Sequence, residues 1–254
     1  WQGLALVDLA GVDKTTLVGL GYENLLDVDV AEGQILISTK KQVGTDRMNR
    51  PICANYLFFL NPATLEVSRA VNVPGVFAYQ QPGTKRLLFN DTQYGPDWQT
   101  VTILRSTEMV GSTVRLLDSA TLPVGYWSVL ADGDDVYYTG YSYGYYVERE
   151  NAVDVMPVYS NSYLVGSFDL TAAGEFTNSR EIAVGQFWIN LLGVQGDMAY
   201  LSLNSAGIAQ YDFGTAPPSL KGMIPVMGYP QKLRFGSTHA YAPLGYSGTA
   251  VFEK

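Results

Sequence analysis

Residues Gly125–Gly140, GYWSVLADGDDVYYTG, read as strand, tight turn and strand. Ser128–Leu130 lead into Asp132-Gly133-Asp134, and Val136–Thr139 lead out. Asp-Gly between two apolar runs is a strong hairpin signal, because glycine accepts the positive φ such turns require. The unit recurs at Glu32-Gly33 before Ile35–Ile37, at Pro82-Gly83 before Arg86–Phe89, at Gly196-Asp197 before Ala199–Leu201 and at Gly236-Ser237 before Ala240-Tyr241. The turn glycines Gly33, Gly83, Gly133, Gly196 and Gly236 are 50, 50, 63 and 40 residues apart. Such a period marks an array of small sheets.

Working outward, four strands, a to d, fit each full unit. Short apolar or alternating runs are bounded by Gly, Pro, Asn and Asp, and helical periodicity is almost absent. The second unit offers Leu25–Val30, Gln34–Thr39, Asn55–Leu60 and Leu65–Val73; the third, Phe77–Gln80, Arg86–Asn90, Thr100–Arg105 and Thr113–Leu122. The fourth adds Tyr163–Asp169 and Arg180–Val184 to the opening hairpin, and the fifth has Ile208–Phe213 and Leu220–Val226 as c and d. Strand d repeatedly ends in glycine, at Gly21, Gly75, Gly125, Gly185 and Gly228. An aromatic follows: Tyr22, Phe77, Tyr126 with Trp127, Phe187 with Trp188, and Tyr229. Strand c often ends in Asp or Asn (Asp8, Asn61, Asp169, Asp212), whose short side chains bond turn backbone.

Four-stranded units of this length are the blades of a β-propeller, and the expected fold is all-β, a propeller of antiparallel blades, with a β-sandwich as its rival. The ranges are a partial blade 1–21, blades 22–75, 76–125, 126–185 and 186–228, and a partial blade 229–254. The end units supply c and d (Gly3–Leu9, Thr15–Leu20) and a, b and c (Gln231–Phe235, Thr238–Leu244, Thr249–Glu253). That is one strand too many for a single blade. The expectation is a larger ring of roughly six to eight blades, the remainder on another chain or a removed segment; a closed five-bladed ring with a displaced strand is the alternative.

Met223–Phe235, His239-Ala240-Tyr241-Ala242 and Gly248–Phe252, together with Ala199–Leu201 and Gly207–Asp212, resemble blades of bacterial LVIVD-type propeller proteins. In that pattern a Gly-aromatic start, an Ala-Tyr-hydrophobic-Ala strand and a Gly-hydrophobic strand follow in order. The likeness covers the last two units well and the middle ones loosely. It implies a propeller in a secreted or periplasmic setting and implies no reaction.

Composition bounds the function. The 254 residues are 47% hydrophobic, which provides a core, and no run of about 18 apolar residues spells a membrane span. A net charge of −8 argues against nucleic acid. A lone cysteine, Cys53, precludes an internal disulfide. A chain beginning at Trp1, without Met, reads as processed or as a fragment.

In a propeller the d–a and b–c connections share one face and the a strands line a channel. The b–c connections at Lys40–Ala54, Asp91–Gln99 and Gly140–Ser162 are long, and long loops on a rigid scaffold are disproportionately functional. The candidate partner-binding residues are therefore Tyr22, Phe77, Tyr94, Trp98, Tyr126, Trp127, Tyr143, Tyr145, Tyr146, Trp188 and Tyr229. Tyr-rich loops combine large area with a hydrogen-bonding tip and suit a protein or a glycan. Catalytic signals are sparse: His239 is the one histidine, in a b strand, and no Gly-x-Ser-x-Gly elbow exists. Asp132, Asp134 and Asp135 have the look of a calcium loop, though Asp-Gly-Asp is also common hairpin chemistry, and no other cofactor is expected. The favoured reading is a non-enzymatic binding or assembly module. The alternative is a hydrolase, lyase or oxidoreductase working in the channel, whose a strands carry only Asp27, Asp29, Lys232 and Arg234 as prominent charges.

Overall fold

The computed structural model describes residues 3–7, 15–19, 24–94, 100–122, 128–146, 158–185, 189–203 and 207–253. Their regular elements are β-strands and a single 3-10 turn at Gly245–Ser247, with no α-helix among the described residues. The all-β, antiparallel expectation holds.

Each sheet is a meander drawn from one continuous stretch of chain. Sheet I pairs β1 (Gly3–Val7) with β2 (Thr15–Gly19). Sheet II runs β3 (Asn24–Ala31), β4 (Gln34–Thr45), β5 (Pro51–Leu60), β6 (Val67–Val73). Sheet III runs β7 (Val76–Gln80), β8 (Arg86–Tyr94), β9 (Thr100–Val110), β10 (Thr113–Leu122). Sheet IV is β11 (Ser128–Asp132), β12 (Asp135–Tyr146), β13 (Val158–Leu170), β14 (Phe176–Gly185). Sheet V is β15 (Asn190–Gln195), β16 (Met198–Ser202), β17 (Ile208–Asp212), β18 (Ser219–Ile224). Sheet VI has three strands, β19 (Arg234–Phe235), β20 (His239–Pro243) and β21 (Thr249–Glu253).

The chain forms two compact units: unit 1, Trp1–Asp91 with Leu104–Asp118, and unit 2, Thr92–Ile103 with Ser119–Lys254. In unit 1, Leu36, Leu57, Phe59, Val71 and Val73 of sheet II pack on Phe77, Leu87, Phe89 and Met109 of sheet III. In unit 2, Tyr137 and Val165 of sheet IV pack with Ile189, Leu191, Ala199 and Leu201, while Leu192 and Ile208 pack with Leu233, Ala240 and Ala242.

Burial explains the sequence pattern. The second strand of a full sheet is covered on both faces, so it reads as a continuous apolar run rather than an alternation. In β4, Leu36 joins the cluster shared with sheet III while Ile35 and Ile37 join a separate one with Leu60. In β12, Val136, Tyr137, Tyr138 and Thr139 are all buried. Each fully buried Leu or Ile stabilises by about 1.5–3 kcal/mol. The fourth strands β14 and β18 are mostly exposed or half-buried.

The a–b turns obey hairpin chemistry. In sheet II the central pair Glu32-Gly33 has φ of 47° and 73°, the double positive of a type I′ turn. In sheet IV, Asp132 pairs with Asp135, so the central residues are Gly133-Asp134 rather than the expected Asp-Gly pair. Each turn also fastens the next sheet. Glu32 Oε1 accepts the Gly83 N–H at 2.9 Å in unit 1, and Asp132 Oδ2 accepts the Gly196 N–H at 2.8 Å in unit 2. Both acids immediately precede the turn glycine of their own sheet.

The described residues of two of the stretches expected as long b–c loops, 40–54 and 140–162, are largely strand. The β4–β5 ladder continues to Thr45↔Pro51, although β3 pairs only as far as Lys40 and β6 only as far as Asn55. Likewise β12–β13 pairing continues to Tyr146↔Val158, beyond β11 at Thr139 and β14 at Tyr163. Two-stranded arms thus extend from sheets II and IV.

Candidate functional site

The sheet IV arm carries tyrosine in strand alternation. Positions 141, 143 and 145 of β12 lie on one face of the ribbon, since successive strand residues alternate faces. They oppose Tyr163, Asn161 and Tyr159 of β13. At the base of the arm the Tyr141 and Tyr163 rings meet, centroids 4.9 Å apart and tilted by 52°. The base is anchored by buried neighbours. The Tyr138 hydroxyl donates to Glu181, its ring stacks on Phe168 at 5.3 Å, and burial pushes its ionisation well above the ordinary tyrosine value. Tyr137 donates to the Gly196 carbonyl at 2.7 Å and meets Phe213 edge-on.

The expected binding residues fall into four groups. Tyr229 is exposed, at 64%. Tyr94 lies on β8, and Tyr143, Tyr145 and Tyr146 lie on β12. Tyr22, Trp98, Tyr126, Trp127 and Trp188 lie outside the described residues. Phe77 is a different case. It pairs with Phe89 across β7–β8, the two rings are edge-on at 6.3 Å, and it is 4% exposed in the unit 1 core. Its ring supports the scaffold and offers no surface to a partner.

The first strands of sheets IV, V and VI lie around a cavity of about 260 Å³ built from Leu130 and Ala131 of β11, Leu192–Val194 of β15 and the Lys232–Phe235 segment entering β19. The Leu233 N–H donates to the Leu192 carbonyl at 2.7 Å and ties two of these segments together. Lys232 and Arg234 are the ionisable groups in that lining. In unit 1, Asp27 and Asp29 each accept the next residue's N–H, at 2.8 and 2.7 Å. His239 is partly buried, with Nδ1 2.8 Å from the Thr238 hydroxyl.

Of the sheet IV turn aspartates, Asp132 accepts the Gly196 N–H and Asp135 approaches Arg180, whose main carboxylate partner is Asp169 near the end of β13. Arg180 lies 2.5 Å from Asp169 Oδ1 and 4.0 Å from Asp135 Oδ1, and it donates to the Phe213 carbonyl at 2.6 Å. Burial, then repulsion from Asp169 and Asp197, raises Asp135 above the usual carboxylate range. Among the described residues no group of three or more His, Cys, Asp or Glu side chains is placed to hold a metal ion.

The tip of the sheet II arm has the composition of a loop, yet it is a built turn. Asp46 Oδ1 accepts the N–H groups of Met48 and Arg50 at 2.8 and 2.9 Å, and its Oδ2 takes the Arg50 Nε at 2.6 Å. Asn49, at φ 60°, completes the turn. These bonds, the Arg50 N–H first, hold the Asp46 carboxyl below its usual range. The Asp-x-x-x-Arg spacing, flanked by Val43 and Ile52, is the signal in the sequence that could have found it.

Compared with known proteins, the chain matches no protein-family model, and no curated sequence is significantly similar to it. No helix among the described residues is long and apolar enough to cross a membrane.

Proposed function

We propose that the chain is a β-propeller portion serving as a binding or assembly module outside the cytoplasm, recognising a protein or glycan through the tyrosine ribbon of sheet IV. The observation that carries this is the register of the ribbon, which pairs Tyr141 with Tyr163 and Tyr145 with Tyr159 and brings the Tyr141 and Tyr163 rings into contact. Tyrosine supplies contact area and hydrogen bonds at small conformational cost, and opposed tyrosines suit sugar rings or a partner's side chains. The sequential four-stranded meanders, and the side-by-side inner strands of unit 2, support the propeller arrangement. In that arrangement blades from outside this chain complete the ring, and the exposed Tyr229 stands at the channel mouth. The few ionisable groups on the inner strands favour binding over catalysis.

The test is a glycan array and a panel of purified extracytoplasmic proteins, probed with wild type and with Tyr141→Ala/Tyr163→Ala. The expected result is a retained ligand whose affinity falls at least about tenfold in the variant, with an unchanged far-UV spectrum. Ligands bound equally by both proteins would remove the ribbon from the function. A projection image of the assembly purified with its native partners that shows no ring would remove the propeller.

A further inference from the structure

The sheet II arm has a chemistry opposite to that of the rest of the chain. Residues Lys40–Ala54 carry Lys40, Lys41, Arg47 and Arg50 against the single Asp46, a net charge of +3 in a protein of net −8. Lys40, Lys41 and Arg47 are exposed, and none makes an ion pair among the described residues. The same arm exposes Val43 at 57%, Met48 at 60% and Ile52 at 48%. Beyond Lys40 and Asn55 neither of its edges is paired with a neighbouring strand of sheet II. Cationic residues beside exposed apolar ones, on a tip already ordered by Asp46, lose little conformational freedom on docking.

We propose that this arm docks on the acidic surface of a second copy of the chain, in a head-to-tail self-association. Charge decides the occupant. Arm-on-arm pairing, the usual hazard of open strand edges, sets like charges against each other. Outside the arm the remaining residues carry net −11, so another copy presents the complementary field. An arm meeting a different surface is a heterologous contact, which leaves a free arm and a free acceptor at the two ends of every open assembly.

Sedimentation velocity at about 20 mM and about 500 mM salt tests this, because surface electrostatics are strongly screened at the higher value. Wild type is expected to associate with rising concentration at low salt and to dissociate at high salt. Arg47→Glu is expected to be monomeric in both with an unchanged melting temperature, since the tip is built by Asp46 and Arg50; Arg47→Lys is expected to retain association. Arg47→Glu added to wild type should shorten the assemblies without abolishing them, because it still accepts an arm. A wild type that stays monomeric at low salt overturns the proposal, as does association that strengthens with salt, which would signal arm-on-arm pairing. Association indifferent to Arg47→Glu also overturns it. So does a chain that remains monomeric yet binds vesicles of anionic phospholipid through Arg47.

Discussion

Gly166 on β13 faces Tyr138 on β12, and this pair sets two effects of opposite sign against each other. Glycine inside a strand costs about 0.5–1 kcal/mol relative to alanine, through the entropy of the unfolded chain. Gly166 is not among the positive-φ glycines, so the backbone itself accepts alanine. On those grounds Gly166→Ala would stabilise. A β-carbon there, however, would fall on the Tyr138 ring, 2.8 Å from Cε1 and closer to Cζ and the hydroxyl. The ring cannot yield cheaply. It is 1% exposed, stacked on Phe168, and tied by its hydroxyl to Glu181. Overpacking of this kind costs about 1–3 kcal/mol, and ejecting the ring would cost about 3–5 kcal/mol. The net expectation for Gly166→Ala is a loss of up to about 2.5 kcal/mol if the site overpacks and of about 2–4.5 kcal/mol if the ring is ejected. Chemical denaturation of a double-mutant cycle with Tyr138→Leu measures it. In the Tyr138→Leu background the penalty should shrink by at least about 1 kcal/mol and can change sign. An equal penalty in both backgrounds would show that the ring is not what Gly166 accommodates, and the reasoning would fail.

Two further predictions concern carboxylates. In Asp46→Ala the Met48 and Arg50 amides should exchange with solvent faster, on the order of tenfold, with the sheet II core amides unaffected, as hydrogen exchange by NMR will read. Because the folded-state pKa of Asp46 is depressed, its contribution to tip order is present above the unfolded value of about 3.9 and is lost as pH falls through the lower folded value; tip order that persists in the fully protonated state would contradict this. Asp135 has the opposite sign. Its folded pKa is raised, so the stability linked to it is full below the unfolded value and is lost as pH rises through the folded one. Asp135→Asn should therefore raise the melting temperature at pH about 7 and leave it unchanged below about pH 4, unless the 4.0 Å approach to Arg180 outweighs burial, in which case the variant melts lower and the assignment is wrong.

Strand order is legible because hairpin glycines and apolar runs mark β-structure locally. Gly33, Gly83, Gly133 and Gly196 all have positive φ; Gly236 does not, and its turn closes through its N–H to the His239 carbonyl at 2.7 Å. The arms escape a reading by composition because Lys40, Lys41, Gln42 and Gly44 look like a loop, whereas a two-stranded ribbon in solvent has no core face to make its pattern apolar. Phe77 reads as a rim residue because an aromatic after a glycine does not reveal which face it takes; register alone sets it opposite Phe89. The tyrosine alternation from 141 to 145 is visible in the sequence, but its meaning depends on Tyr159 and Tyr163 arriving in register across the ribbon.

The acid–glycine turns couple neighbours in a way that resembles a chain of linked switches. Glu32 and Asp132 shape their own hairpins and also clasp the turn of the sheet that follows, at Gly83 and Gly196. A repeat copied whole by gene duplication therefore brings its coupler with it, and the receiving group is a backbone N–H that every turn residue except proline possesses. In a nearest-neighbour description, the stability of such an array divides between each repeat and its junctions. At the two junctions so clasped, one acidic side chain adds a directional tie to the apolar packing that joins the sheets. Drift at that position leaves the hairpin intact while loosening the array, so that unfolding proceeds sheet by sheet where it would otherwise proceed as a block.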